Sequence, residues 1–192
     1  MMEAPDFAAG RELVEAAYEH AYRAHCGPAS EGDTEIDHPV AVAQLLDRAG
    51  FGDEVIAAAL LHDVVEDTSE GLDLISRGFG DEVCNLVKAM TEDDSIEPYE
   101  ARKAEHRERV LAAGAAPASI YAADKLARVR SYVASGEAVD DQRLDHYWDT
   151  LQLFAGRRPE LPFLSELAAE LPQLEPDDED PAAEAGDETP AT

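Results

Sequence analysis

LLHDVVEDT, residues 60–68, sets a histidine and three carboxylates directly behind the apolar run of residues 55–61. Ionised side chains are seldom placed against a core without a partner, because desolvating an unpaired charge is costly. On a helix, residues four apart share a face. Glu66 then lies over His62 and Asp67 over Asp63, giving one polar patch. Ala57, Leu60, Leu61, Val64 and Val65 are left to pack on other helices. Carboxylates crowded together raise each other's pKa, and a bound divalent cation relieves that strain.

A cation needs further ligands, and two residues elsewhere fit. His38 opens a helix before Pro39, where its ring can turn back over a neighbour. Asp124 interrupts the otherwise apolar run in YAADKLARVR, residues 121–130. Its bland reading is an ion pair with Arg128 one turn on. His38, His62, Asp63 and Asp124 together offer two imidazoles and two carboxylates. That mixed set suits Mn²⁺ or Fe²⁺, and less decisively Zn²⁺ or Mg²⁺.

The surrounding pattern is helical throughout, with no alternating strand pattern and no internal repeat. Helices are expected over residues 7–25, stopped by Gly27-Pro28, and from His38-Pro39 to Gly50. Asp53 is expected to cap the helix that carries the opening motif. A short helix over residues 72–77 and one capped by Asp81 follow. Further helices run over 98–113, over 117–134 with a stripe of Ala122, Leu126, Val129 and Val133, and over 140–155. A turn around 161–171 completes an all-α bundle. Tyr147, Trp148 and Phe154 read as core anchors, and Cys84 as packing.

The chain has 192 residues and a formal net charge of −28, with a pI of about 4.2. So acidic a surface repels nucleic-acid phosphates and argues against a DNA or RNA partner. Residues 172–192 hold eight of the acids and no base; removing them leaves −20 on residues 1–171. The reading is one domain over 1–171 and an acidic disordered tail over 172–192. Two cysteines, Cys26 and Cys84, make no disulfide framework and fit a reducing cytoplasm. No signal peptide is expected, and the run of residues 55–61 is too short to cross a membrane.

HPVAVAQLL, AALLHDVVEDT, FGDEVCNLV and AADKLARVR, in that order, resemble the HD-domain hydrolases of the RelA/SpoT kind, above all their small hydrolase-only relatives. The resemblance covers roughly residues 13–132, and PYEARKAEHRERV also looks like the helix that precedes the last ligand in such proteins. It implies an all-α fold, a Mn²⁺ site and hydrolysis of the 3′-diphosphate of (p)ppGpp. It implies His38, His62, Asp63 and Asp124 as ligands, with Glu66 and Asp67 orienting or deprotonating the attacking water.

Two stretches depart from that family. Where its loop reads R-K-S-G-E-P-Y, this chain has Ala29 and Ser30 in the basic positions, and Thr34 and Glu35 in place of Pro and Tyr. Its last block ends in Asn, where this chain has Arg128. Alanine cannot replace a guanidinium that stacks on a base, so weak selection for guanine is expected. Arg102 and Lys103, with His106 and Arg109 on one stripe, and Lys125 and Arg128, are the candidate phosphate contacts for a small anionic nucleotide. The bland reading of the stripe is a solvated face paired with Glu100, Glu105 and Glu108. A non-catalytic module that keeps the metal as a clamp is the alternative to an enzyme. Neither reading sets the oligomeric state.

Overall fold

The structure, a computed structural model, describes residues 4–25, 36–68 and 70–175. Among them every regular element is helical: α1 (Glu12–His25), α2 (Asp37–Arg48), α3 (Asp53–Leu61), α4 (Val64–Asp67), α5 (Leu72–Met90), α6 (Tyr99–Ala113), α7 (Ala115–Ser135), α8 (Asp141–Arg157) and α9 (Leu164–Glu170). Two 3₁₀ turns, Asp6–Ala8 and Leu171–Leu174, flank them. No helix among the described residues is long and apolar enough to cross a membrane.

The centre of the bundle is α3. Residues 56–61 are all fully buried, and a helix that is apolar on every side must be surrounded. It packs against α1, α2, α5 and α7. The second inner helix is α7, where Ala118, Ile120, Ala122, Ala123, Leu126 and Val129 are fully buried. His62 and Asp63 therefore come from the end of one core helix and Asp124 from the middle of another, while His38 comes from the first turn of α2.

Several local expectations change. The first helix does not start at residue 7, because Gly10 takes a φ of +76° and separates the 3₁₀ turn from α1. Left-handed backbone of this kind costs glycine little and other residues more. Gly52, not Asp53, occupies the N-cap of α3. Asp53 is instead drawn to Arg11, whose guanidinium binds Asp53 at 2.6 Å and Asp47 at 2.7 Å. The two helices expected over 72–77 and from 81 are the halves of α5, kinked where Gly80 has φ +85°. Asp140 does cap α8, accepting the Arg143 backbone N–H at 2.8 Å. Val133 leaves the expected stripe and is 40% exposed. Leu171 is buried and Leu174 packs on the core. The loop 29–35, Cys26 and residues 176–192 lie outside the described residues.

Candidate metal centre

The motif does not run on as one straight helix. α3 ends at Leu61, His62 and Asp63 form the junction, and α4 restarts at Val64. Asp63 has ψ −14°, and its carbonyl accepts from both Glu66 and Asp67 at 3.1 and 2.8 Å. This tightened turn splits the expected patch. Glu66 borders one cavity with His62 and Asp63, whereas Asp67 borders another with His38 and Asp63.

His38 from the first turn of α2, His62 at the end of α3 and Asp124 in α7 converge. Each offers a ligand atom, and the three atoms lie within 4.8 Å of one another. His38 Nε2 is 2.8 Å from Asp124 Oδ1, and His62 Nε2 is 3.9 Å from the same oxygen. Asp63 Oδ1 stands 2.9 Å from His62 Nε2, so the fourth residue is beside the cluster through His62.

The tautomer of His62 decides what the cluster can hold. Nδ1 is 2.7 Å from the Ala59 carbonyl, which can only accept, so Nδ1 carries the proton. Nε2 of a neutral ring then presents a lone pair towards two carboxylates. It is buried and makes no well-aligned hydrogen bond, although Asp63 Oδ1 is 2.9 Å away. An acceptor facing acceptors out of water requires a proton or a metal ion between them. The C-terminal end of α3, where backbone carbonyls point, also favours positive charge. The donor set therefore fits a divalent ion.

Without an ion, histidine and lysine supply the compensation. Burial works against ionising Asp124, but the Lys125 ammonium and the two imidazoles prevail and hold it well below the usual carboxylate range. Asp63 is likewise opposed by burial, yet His62 lowers it to about 2. The expected mutual elevation of carboxylate pKa is overridden by these cations at Asp63 and Asp124, but it survives at Glu66, which is raised with Asp63 contributing. Burial lowers the His62 pKa, but Asp63 and Asp124 outweigh it and raise it well above the ordinary value. A metal ion must displace that proton to bind.

Two cavities meet at this cluster. The larger, about 890 Å³, is lined by α2 and α7 through Gln44, Leu45, Arg48, Ala127, Arg130 and Ser131. The smaller, about 350 Å³, is lined by Glu66, Glu92, Lys103, Lys125, Arg143 and four tyrosines. Asp63 and Arg128 border both.

Most of the candidate phosphate contacts have protein partners. Arg102 Nε donates to Glu92 at 3.0 Å, and Lys103 donates to the other oxygen of the same carboxylate. His106 Nε2 donates to the Ala89 carbonyl at 3.1 Å. Arg109 binds Glu105 at 3.0 Å, as the bland reading of the stripe has it. Lys125 donates to Asp124 Oδ2 at 2.6 Å while lying 4.5 Å above the Tyr121 ring. Arg128 does not pair with Asp124; its Nη2 stands 3.7 Å from Asp63. Lys103, Lys125 and Arg128 face the smaller cavity, and Arg102 is not part of its wall.

Sequence reasoning missed Tyr99, Tyr132, Arg143 and His146 in that wall, and saw Tyr147 only as core. Tyr147 is indeed 4% exposed. The available signal was the polar tip of each tyrosine, which lets one residue pack and also face a wet cavity.

An all-helical bundle with a histidine–aspartate pair at the end of its central helix defines the HD-domain class. The HD-domain family matches residues 17–158, and the chain belongs to that family. It is 36% identical over 132 residues to the guanosine-3′,5′-bis(diphosphate) 3′-pyrophosphohydrolase MESH1 of Mus musculus, covering 68% of each chain. It is 41% identical over 101 residues to the GTP pyrophosphokinase of Streptomyces coelicolor, a stretch that is 52% of this chain but only 12% of that larger protein. In fold it is similar to a metazoan ortholog of SpoT that hydrolyses ppGpp, with a TM-score of 0.67 at 24% identity over 89% of this chain and 96% of the other.

Proposed function

We propose that this chain is a metal-dependent phosphohydrolase that removes the 3′-diphosphate from guanosine 3′,5′-bis(diphosphate) or a closely related nucleotide. The observation that carries the reading is the buried Nε2 of His62, which makes no well-aligned hydrogen bond but stands 2.9 Å from Asp63 Oδ1 and 3.9 Å from Asp124 Oδ1. The similarity to the mouse pyrophosphohydrolase supports the substrate class.

His38, His62, Asp63 and Asp124 would hold the ion, which we take to be Mn²⁺, with Fe²⁺, Zn²⁺ and Mg²⁺ the other ions such donors accept. Bound there, a divalent ion polarises a phosphoryl oxygen and lowers the pKa of water. Glu66 lines the smaller cavity and Asp67 the larger. Glu66 is pushed up to about 6, chiefly by loss of water, with Glu92 and Asp63 adding to the effect and the Glu92 N–H opposing it. At neutral pH it is ionised and placed to take a proton from the attacking water. Asp67 positions that water from the other side. As water adds to the phosphorus of the 3′-diphosphate, the bond from that phosphorus to the ribose oxygen breaks. Lys103, Lys125 and Arg128 supply positive charge at the cavity wall, and Arg102 braces Glu92.

The non-catalytic alternative has one observation in its favour: Glu66 Oε1 already accepts a 2.6 Å hydrogen bond from the Glu92 N–H. The protein loaded with Mn²⁺ and offered a panel of nucleotides separates the two readings. Release of pyrophosphate from ppGpp or a related nucleotide is expected. Nucleotide binding without turnover of any member would establish the module instead.

A further inference from the structure

Three of the four cations on the wall of the smaller cavity are held close by protein partners. Lys125 donates to Asp124 at 2.6 Å, Lys103 to Glu92, and Arg143 to the Tyr132 hydroxyl. Arg128 differs. Its guanidinium makes no hydrogen bond among the described residues, its side chain is 46% exposed, and it borders both cavities.

The reason lies in α7. Asp124 and Arg128 are four apart, the spacing at which an acid and a base usually pair. Asp124 is already occupied, by His38 on one oxygen and Lys125 on the other. Arg128, one turn nearer the end of the helix, reaches past it and stops 3.7 Å from Asp63 Oδ2. Asp63 Oδ1 meanwhile faces His62.

We propose that Arg128 is a counter-cation of Asp63 that competes with the metal ion for that carboxylate, and that an incoming phosphate relieves the competition by drawing the guanidinium away. The inference rests on the metal-site reading given above. Its physical content is a coupling between two ligands. A guanidinium and a divalent ion on one carboxylate repel each other, so the ion binds more weakly while Arg128 points inwards. A phosphate at the cavity mouth gives Arg128 a stronger, bidentate partner. Metal and anion then strengthen each other's binding by the same factor, as linkage requires. Arg128 would thus set the affinity of the metal through Asp63 and contact the phosphate.

Mn²⁺ titration of metal-stripped protein, followed by calorimetry, tests this without reference to turnover. Because the Arg128 side chain is partly in water, the repulsion is moderate, and Arg128→Gln should bind Mn²⁺ about three- to tenfold more tightly than the natural chain. Arg128→Lys keeps the charge and should stay near the natural affinity. At saturating Mn²⁺, inorganic phosphate should bind Arg128→Gln about tenfold more weakly. These opposite signs are not what a loss of folding produces. Unchanged or weaker Mn²⁺ binding by Arg128→Gln, or equal behaviour of the Gln and Lys variants, overturns the proposal. Failure of the natural chain to take up Mn²⁺ overturns the metal-site reading itself, and this inference with it.

Discussion

Glu66 Oε1 accepts a 2.6 Å hydrogen bond from the backbone N–H of Glu92, 26 residues further on. Through it the HD motif is tied to the loop whose carboxylate gathers Arg102 and Lys103. The proposed proton acceptor is therefore held by a backbone donor at one oxygen.

That arrangement sets a pH dependence. The Glu66 carboxyl is raised to about 6, mainly because it is partly out of water. A general base must be ionised, so kcat/KM should climb as pH rises through about 6 and then level off. Glu66→Gln should lose on the order of 10²-fold or more in kcat and retain bound metal. A variant that turns over at the natural rate would remove Glu66 from the chemistry.

Glu92 carries a stability prediction. Burial opposes its ionisation, but the Lys103 ammonium and the Arg102 guanidinium, both hydrogen-bonded to it, outweigh that and hold the carboxyl far below the ordinary range. A depressed folded pKa stabilises the protein above the unfolded value of about 4.3, and that contribution is lost as pH falls towards the folded value. Glu92→Gln should cost about 1–2 kcal/mol at pH 7, a fall in Tm of roughly 2–8 °C. The gap from the natural chain should narrow below about pH 4. Thermal melts at pH 7 and pH 3.5 check this; an equal gap at both would show that the charge of Glu92 does not matter.

What the sequence made legible follows from local rules. The apolar run before His62 marked the core helix, and residues 56–61 are fully buried; Asp124 stood out as an acid in an apolar stretch, and it is buried there. The partners of Arg102 and Lys103 were not legible. They depend on Glu92 closing back over α6 from a loop without periodicity, and nothing local encodes that contact. Asp53 misled for a related reason. It fits a helix cap by type, but Arg11, 42 residues away, takes its carboxylate. The split of Glu66 from Asp67 turned on the tightened junction at Asp63, which helical spacing alone does not anticipate.

Substrate choice should favour phosphate over base. By the resemblance read from the sequence, Ala29 and Ser30 replace basic residues expected in that loop, and Arg128 replaces an expected Asn in α7. A charged hydrogen bond to the nucleotide is worth about 1.5–3 kcal/mol, and doing without it weakens affinity roughly 10- to 150-fold. Measured kcat/KM for ppGpp and its adenine counterpart should therefore agree to within about tenfold. A strong preference for ppGpp would mean that other residues here recognise guanine.

On the proposed reading, a metal held by His38, His62, Asp63 and Asp124 supports cleavage of a nucleotide 3′-diphosphate. The most direct measurement pairs metal content with pyrophosphate release from ppGpp, on the natural chain, His62→Ala and Asp124→Ala. Stripping the natural chain with a chelator should abolish release and adding Mn²⁺ should restore it, while both variants stay empty and inactive. Pyrophosphate release that persists without metal, or variants that hold metal as the natural chain does, would rule out a catalytic metal at these residues.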